Sequence, residues 1–552
     1  MAPQSNPASE GADYCGVAVL RPAWLRFVVP SVSDLLFILL LIALTIGPLA
    51  KGMLGDGGVG WHIRTGELIA QTHSAPKTDT FSSTTYGKVW FAWEWLYDAM
   101  IGWVHHVAGL NGVVFFSVLV IALTFALVLR RMLGAGSNLP LAVIVLLLAM
   151  AASSVHFLAR PHILSWLFTL IWFTSLEQFE KDGGTRPLFW LPVTMLLWVN
   201  LHGGFVTGFA LLSLYLLSTL LQGWAAGAAE DRAVWLQRAR DLGLLGVVCG
   251  AVSLANPYGY KLYVHIYRYL GDRFLMDHID EFLSPNFHGL PQRCFALLVL
   301  LAVIATATAR KRISLTHLLV TLFAIFSGLY ATRNIPVSAI LLALMVAPQL
   351  STARQDSGSN IVSESSRVSL ARFHQFGLRM ANLDAGLRGH VWPILFVLTG
   401  AWICGHQGHF GSATLLQAQF DDKRFPVHAA NFLESTADRQ PIFCPDNWGG
   451  YLIYRLYPKQ PVAVDDRHDL YGSNFLKRYL NIVHGRPNWK EELAAMHAGW
   501  ILVPTDSTLS SLMADSGEWS RVYGDETSVL FRRKPELNET LADVCTQNDH
   551  IH

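Results

Sequence analysis

Residues 112–129 read GVVFFSVLVIALTFALVL, a run without one charged side chain. Wound as an α-helix, a run of that length matches the hydrocarbon core of a bilayer. Comparable runs recur near 33–50, 139–157, 161–178, 187–201, 203–222, 241–255, 292–309, 313–331, 334–349 and 391–406. In hydrocarbon a helix satisfies its backbone donors and acceptors within itself, so few other folds are open to such segments. Composition agrees, since only 15% of the 552 residues are charged, against about a quarter in soluble domains. The chain reads as a polytopic α-helical membrane protein with about eleven spans.

The charges between the runs orient it. Arg130/Arg131, Lys181/Arg186, Arg232/Arg238/Arg240, Arg310/Lys311/Arg312 and Arg354/Arg367/Arg372/Arg379/Arg388 each follow an even-numbered run. All therefore share the side of the N-terminus, which the positive-inside rule makes cytoplasmic. The expected organisation is a cytoplasmic segment 1–32, a transmembrane domain 33–406 with a first outer loop at 51–111, and an extracytoplasmic region 407–552. No small-residue cleavage site follows the first run, which is expected to stay as a helix. The 41 basic and 40 acidic residues nearly cancel, so no field points to a nucleic-acid partner.

The tail beyond 407 is polar and mixed. Short apolar stretches at 441–443, 461–464 and 500–503 read as strands, and 429–434, 475–484 and 489–497 as helices. Gly524-Asp525-Glu526 sits between strand-like 520–523 and 527–532 as a hairpin signal. This is the pattern of a small α/β domain. Residues 355–366 are Ser/Asn/Gly-rich and read as a linker. The six cysteines form no metal-ligand spacing, and whether Cys444 and Cys545 pair stays open.

Sorted by membrane side, the unusual polar residues fall on one face. The first outer loop holds Asp56, Trp61-His62, Arg64, Asp79, Trp90 and Glu94-Trp95. Short turns between spans carry Arg160-Pro161-His162, Asn200-Leu201-His202 and Arg333-Asn334, and longer ones Asn256-Pro257-Tyr258 and Glu281. Ionisable groups near a membrane core usually face a polar cavity or each other. One cavity is expected, opening outward beneath the first loop and the tail. Each residue also has a plainer role: Arg160 and Arg333 as snorkelling side chains, His202 as a helix cap, the glycines beside Asp56 as turns, and the tryptophans as an interfacial belt.

A first helix, a long outer loop opening on an Asp, many spans and an outer soluble domain resemble the GT-C superfamily of integral-membrane glycosyltransferases. Asp56, Trp61-His62, Arg64-Thr65-Gly66, Asp79-Thr80-Phe81-Ser82, Glu94-Trp95-Leu96, Gly449-Gly450-Tyr451 and Asp465-Asp466-Arg467 resemble a largely uncharacterised bacterial GT-C-like group. The resemblance implies transfer of a sugar from a polyprenyl-phosphate carrier to an envelope glycan, lipid or protein acceptor, at a bacterial inner membrane. It makes Asp56 the catalytic carboxylate, as general base or as ligand of a divalent metal such as Mg²⁺ or Mn²⁺. Glycines flank Asp56 where the family commonly has paired acids, so Asp79 and Glu94 are the candidate second carboxylates. Trp61, His62, Arg64, Arg160, His162, Asn200, His202, Asn256, Tyr258, Glu281 and Arg333 are the expected substrate-binding residues.

Two other readings compete. A lipid or sugar transporter or flippase would place polar sites near the midplane, often in repeated halves, and neither feature is seen. A non-catalytic GT-C-like scaffold would bind a glycan or protein partner through its soluble domain, for instance at Asp465–Asp469. That cluster follows a strand-like stretch, where α/β sheets place ligands, although its carboxylates could simply pair with Arg467.

Overall fold

The computed structural model describes residues 24–534 apart from 47, 310–312 and 352–363. The expected N-terminal segment (up to residue 23), the basic turn Arg310-Lys311-Arg312, most of the 355–366 linker, Cys15 and Cys545 lie outside the described residues.

A helix occupies each of the eleven apolar windows. Local chemistry explains several of their ends. Ser31 and Asp34 form a reciprocal capping box at the start of Val32–Thr45, and Asn138 caps Leu139–Ser153. Helix Trp95–Gly134 bends at Gly109, whose φ of 59° suits glycine.

By length and composition, six helices among the described residues can cross a membrane: Leu25–Thr45, Trp95–Gly134, Leu139–His156, Gly203–Ala225, Leu290–Thr308 and Thr332–Ser351. Leu315–Tyr330 and Val391–Gly405 are apolar but shorter. The other expected spans fall outside these criteria. Leu191–Leu201 has 11 residues, about 17 Å of helix. His162–Asp182 ends in Glu177, Glu180, Lys181 and Asp182, and Ala229–Ser253 begins with Glu230, Asp231 and Arg232.

The C-terminal region holds a four-stranded sheet in the order Ile442–Phe443, Trp500–Pro504, Ser528–Arg533, Trp519–Gly524. The first pair is parallel and the rest antiparallel. The stretch 461–464 forms only single bridges, through Val462, to Ile442 on one side and Ser82 on the other. Ser83 N donates to Val462 O at 2.8 Å, so the first loop adds to the sheet's margin. Helices Val427–Ser435, Ser473–Val483 and Trp489–Ala494 lie where expected.

Helices His468–Tyr471, Thr508–Ala514 and Asp446–Leu456 also lie outside the expected stretches, the last being the longest. Its Gly449-Gly450 pair suggests a turn, yet serves a close crossing. A Cβ on Gly450 would collide with the Gly57 carbonyl, and one on Gly60 would collide with the Gly450 carbonyl. The glycines after Asp56 therefore let helix Gly58–Thr72 lie directly on the C-terminal region, beyond merely turning the chain.

Candidate active site

Asp56 stands in the turn before helix Gly58–Thr72, where its Oδ1 accepts from Gly58 N at 2.8 Å. Its Oδ2 meets Arg160 Nη1 at 2.8 Å. The same Nη1 lies 3.0 Å from Asp466 Oδ2, contributed by the C-terminal region. Trp61 Nε1 donates to Asp466 Oδ1 at 2.9 Å. Three distant segments thus meet on one guanidinium. Gly58 makes room for this, since a Cβ there would lie 2.5 Å from both Arg160 Nη1 and Asp466 Oδ2. Burial, and then the neighbouring Asp56 and Asp465 charges, push Asp466 up to about 7 against the pull of Arg160.

Glu94 closes the first loop at the start of helix Trp95–Gly134. Its Oε2 is 3.8 Å from His62 Nε2 and its Oε1 is 3.6 Å from His202 Nε2. Burial dominates the surroundings of this carboxyl and raises its pKa to about 8, with Arg160 opposing. His62 Nδ1 lies 2.6 Å from Asp98 Oδ1, both side chains sealed from solvent. Burial and the Arg160 charge hold the His62 imidazole well below its ordinary pKa. A neutral ring donating from Nδ1 to Asp98 leaves Nε2 as an acceptor, and that atom has no hydrogen-bond partner among the described residues.

Of these groups Trp61, Glu94, Asp98, Arg160 and Asp466 border an open cleft enclosing about 590 Å³, the solvent at its mouth included, while Asp56, His62 and His202 stand behind its lining. Trp61, Trp90, Phe91, Trp93 and Tyr269 supply aromatic faces, and Glu94, Arg160, Glu281, Arg333, Asp466, Arg467, His468 and Asp469 supply polar ones. Arg333 Nη1 pairs with Glu281 Oε1 at 3.4 Å and its guanidinium lies 4.4 Å from the Phe282 ring centroid.

Other expected residues hold the frame. Asp79 is fully buried, held by Ser82, Thr85, the Phe81 amide and Arg467. It is therefore an anchor sealed from the cleft. Arg64 Nε donates to the Tyr454 carbonyl at 2.9 Å and its Nη1 to Glu67 at 2.6 Å, away from the cleft. Asn200 takes the Trp95 indole N–H at 2.7 Å, so both residues brace helix ends. Asn256 folds its own turn through Gly259 and Tyr258, and Tyr258 Oη donates to the Pro76 carbonyl at 2.8 Å. His162 faces the His156 carbonyl at 2.8 Å. His202 Nδ1 caps Gly203–Phe205 through Gly204 N at 3.0 Å, while its other nitrogen faces Glu94.

Asp98 and Tyr269 belong to the site without having been singled out, and Asp466, read only as part of the tail's Asp465–Asp469 cluster, joins them. Asp98 follows Glu94 by four positions on one helical face, a readable spacing. Asp466 carries no such local signal. Of the tail's charged cluster, Asp465 does pair with Arg467, at 2.7 Å, while Asp466 turns to Arg160 and Asp469 to His265 at 3.0 Å.

A divalent metal does not fit Asp56. Both of its oxygens are engaged, one by a backbone amide and one by a cationic guanidinium. Among the described residues the group spaced to hold a metal is Glu177, Glu180 and His317, which does not border this cleft.

No protein-family model and no curated relative matches the sequence. Solved structures do resemble it. The oligosaccharyltransferase AglB from Archaeoglobus fulgidus, in complex with an inhibitory peptide and a dolichol-phosphate, aligns with TM-score 0.50 at 10% identity, over 86% of this chain and 69% of that one. The oligosaccharyltransferase of the same organism in the apo form gives 0.51 at 11% identity, with the same coverage. ArnT from Cupriavidus metallidurans bound to undecaprenyl phosphate gives 0.47 at 14% identity, over 92% and 97% of the two chains. The chain shares its fold with the archaeal oligosaccharyltransferase.

Proposed function

We propose that the chain is an integral-membrane glycosyltransferase that moves a sugar from a polyprenyl-phosphate donor to an extracytoplasmic acceptor. One observation carries this reading: in this fold, a single cleft combines Glu94, Asp466 and the Asp56-paired Arg160 with Arg333 and aromatic walls. The archaeal enzyme of like fold binds a dolichol-phosphate and a peptide, which supports a lipid phosphate as the donor's leaving end. The distribution of Arg and Lys supports a cytoplasmic N-terminus and a periplasmic C-terminal region, 407–552, in a bacterial inner membrane.

The chemistry follows from charge. The acceptor hydroxyl attacks the anomeric carbon and its proton passes to Asp56. The bond from that carbon to the phosphate oxygen breaks, its electron pair leaving on polyprenyl phosphate, and a single displacement inverts the anomeric centre. Arg160 and Arg333 meet the growing negative charge. An incoming phosphate competes for Arg160, which frees Asp56 Oδ2 as the donor binds. Glu94, with a pKa near 8, still carries a proton near neutrality and donates it to phosphate or sugar oxygen. Two carboxyls in different surroundings thus take different roles.

Replacing Asp56 with Asn and following transfer from polyprenyl-phosphate sugars, or the native envelope glycan, tests the assignment. A loss of about 100-fold or more is expected for a positioned base. Undiminished transfer by well-folded D56N protein overturns it.

A further inference from the structure

Helix His162–Asp182 begins beside Arg160 and ends, about 27 Å further along its axis, in a second cluster of ligand-type side chains. Glu177 and Glu180 stand one turn apart on it and face His317 of helix Leu315–Tyr330. One ligand atom from each of the three lies within 4.8 Å of the others.

An ordinary ion pair accounts for Glu177. Its Oε2 is 2.8 Å from His317 Nε2, and Lys181 Nζ is 3.4 Å from its Oε1. It does not account for Glu180. Glu180 Oε1 accepts from Thr316 Oγ1 at 2.5 Å, but Oε2 is sealed from solvent and has no hydrogen-bond partner among the described residues. Arg238 donates Nη1 to the Glu180 backbone carbonyl at 3.0 Å rather than to the carboxylate. A buried carboxylate oxygen without a donor is costly.

We propose that Glu177, Glu180 and His317 hold a divalent transition-metal ion of the Zn²⁺ type. One imidazole nitrogen with carboxylate oxygens suits such an ion, and ligands one turn apart on one helix with a third from its neighbour are how bundles present metals. Outer contacts orient the ligands: Tyr215 Oη reaches Glu177 Oε2 at 3.4 Å, and Thr316 Oγ1 lies 2.7 Å from Ser218 Oγ. Lys181, whose side chain is 60% exposed, withdraws into solvent as the ion enters. The ion staples two helices at the end of the bundle away from the cleft, and this inference stands apart from the proposed transfer reaction.

The full chain, purified in detergent and stripped with chelator, is reloaded with Zn²⁺ alone and desalted. Stoichiometric zinc by elemental mass spectrometry and a Tm several degrees above the stripped protein are expected. Glu180→Gln is expected to weaken zinc affinity more than about tenfold, while Lys181→Ala, which removes no ligand, retains it. Co²⁺ loaded instead should give the visible absorption of a low-symmetry protein site in the unmodified chain. Zinc retention in E180Q equal to the parent overturns the proposal, and so does absence of the Co²⁺ band, which requires no variant to fold.

Discussion

Arg467 Nη1 lies 2.9 Å from Asp79 Oδ1, an ion pair with both side chains essentially inaccessible to solvent. It joins the first loop to the C-terminal region directly beneath the cleft. The guanidinium also binds Asp465 and lies 4.5 Å from the Trp90 ring centroid, so one side chain fixes a cleft wall and the loop behind it. Removing a single partner strands a buried charge, typically costing about 3–5 kcal/mol. Asp79→Asn and Arg467→Met should each lower stability by that order in thermal or denaturant unfolding. A change under about 1 kcal/mol would contradict a locked interface.

Two buried carboxyls should respond to pH in opposite directions. Burial raises Asp79, but the Arg467 charge and the Ser82, Phe81 and Thr85 hydrogen bonds outweigh it, so its folded pKa lies below 3.8. Its stabilisation is full above that value and fades as pH falls through the folded pKa. Glu94 is raised from 4.5 to about 8, so the native state holds an extra proton between those values and stability falls as pH rises across the window. Glu94→Gln should unfold with the parent near pH 4 and later than the parent near pH 9. Asp79→Asn should be weaker than the parent at neutral pH and approach it under strong acid. Parallel pH curves for the two variants would defeat the argument.

The legible parts of this chain are those with a local period or local scarcity. Apolar windows, four of them broken by a single charge (Asp34, Glu177, Asp241 or Arg293), mark the bundle helices, and the rarity of charge makes Asp56, Glu94, Arg160 and Arg333 stand out. Window hydropathy alone cannot separate a spanning helix from a short packed one such as Leu191–Leu201, because both are apolar. Asp466 and Arg467 were harder, since their partners come from remote segments and only docking decides which acid meets which base. The Gly449-Gly450 helix was hidden for a related reason. Glycine lowers helix propensity, and only the close approach of Gly57 and Gly60 explains its use there.

That approach yields a packing prediction. A Cβ on Gly60 would sit 2.7 Å from Tyr454 Cβ as well as strike the Gly450 carbonyl. Neither obstacle is the loose end of a flexible chain, so the two helices must part. Gly60→Ala should cost about 1–3 kcal/mol, and it should reduce transfer by moving Trp61 and Asp466 apart. A Gly52→Ala control, where a Cβ meets nothing within 4 Å, should leave both properties unchanged.

Metal dependence separates the two ends of the molecule. In the cleft, Arg160 already supplies positive charge to both Asp56 and Asp466, at 2.8 and 3.0 Å. A cation bound there would have to displace it against like-charge repulsion. At the other end, Glu180 Oε2 waits without a donor. Chelator treatment should therefore lower Tm while leaving initial transfer rates, measured well below the transition, within about twofold of untreated protein. Abolished transfer that Mg²⁺ or Mn²⁺ restores would mean that Asp56 recruits a metal in place of Arg160, and the displacement mechanism would have to be rewritten around that ion.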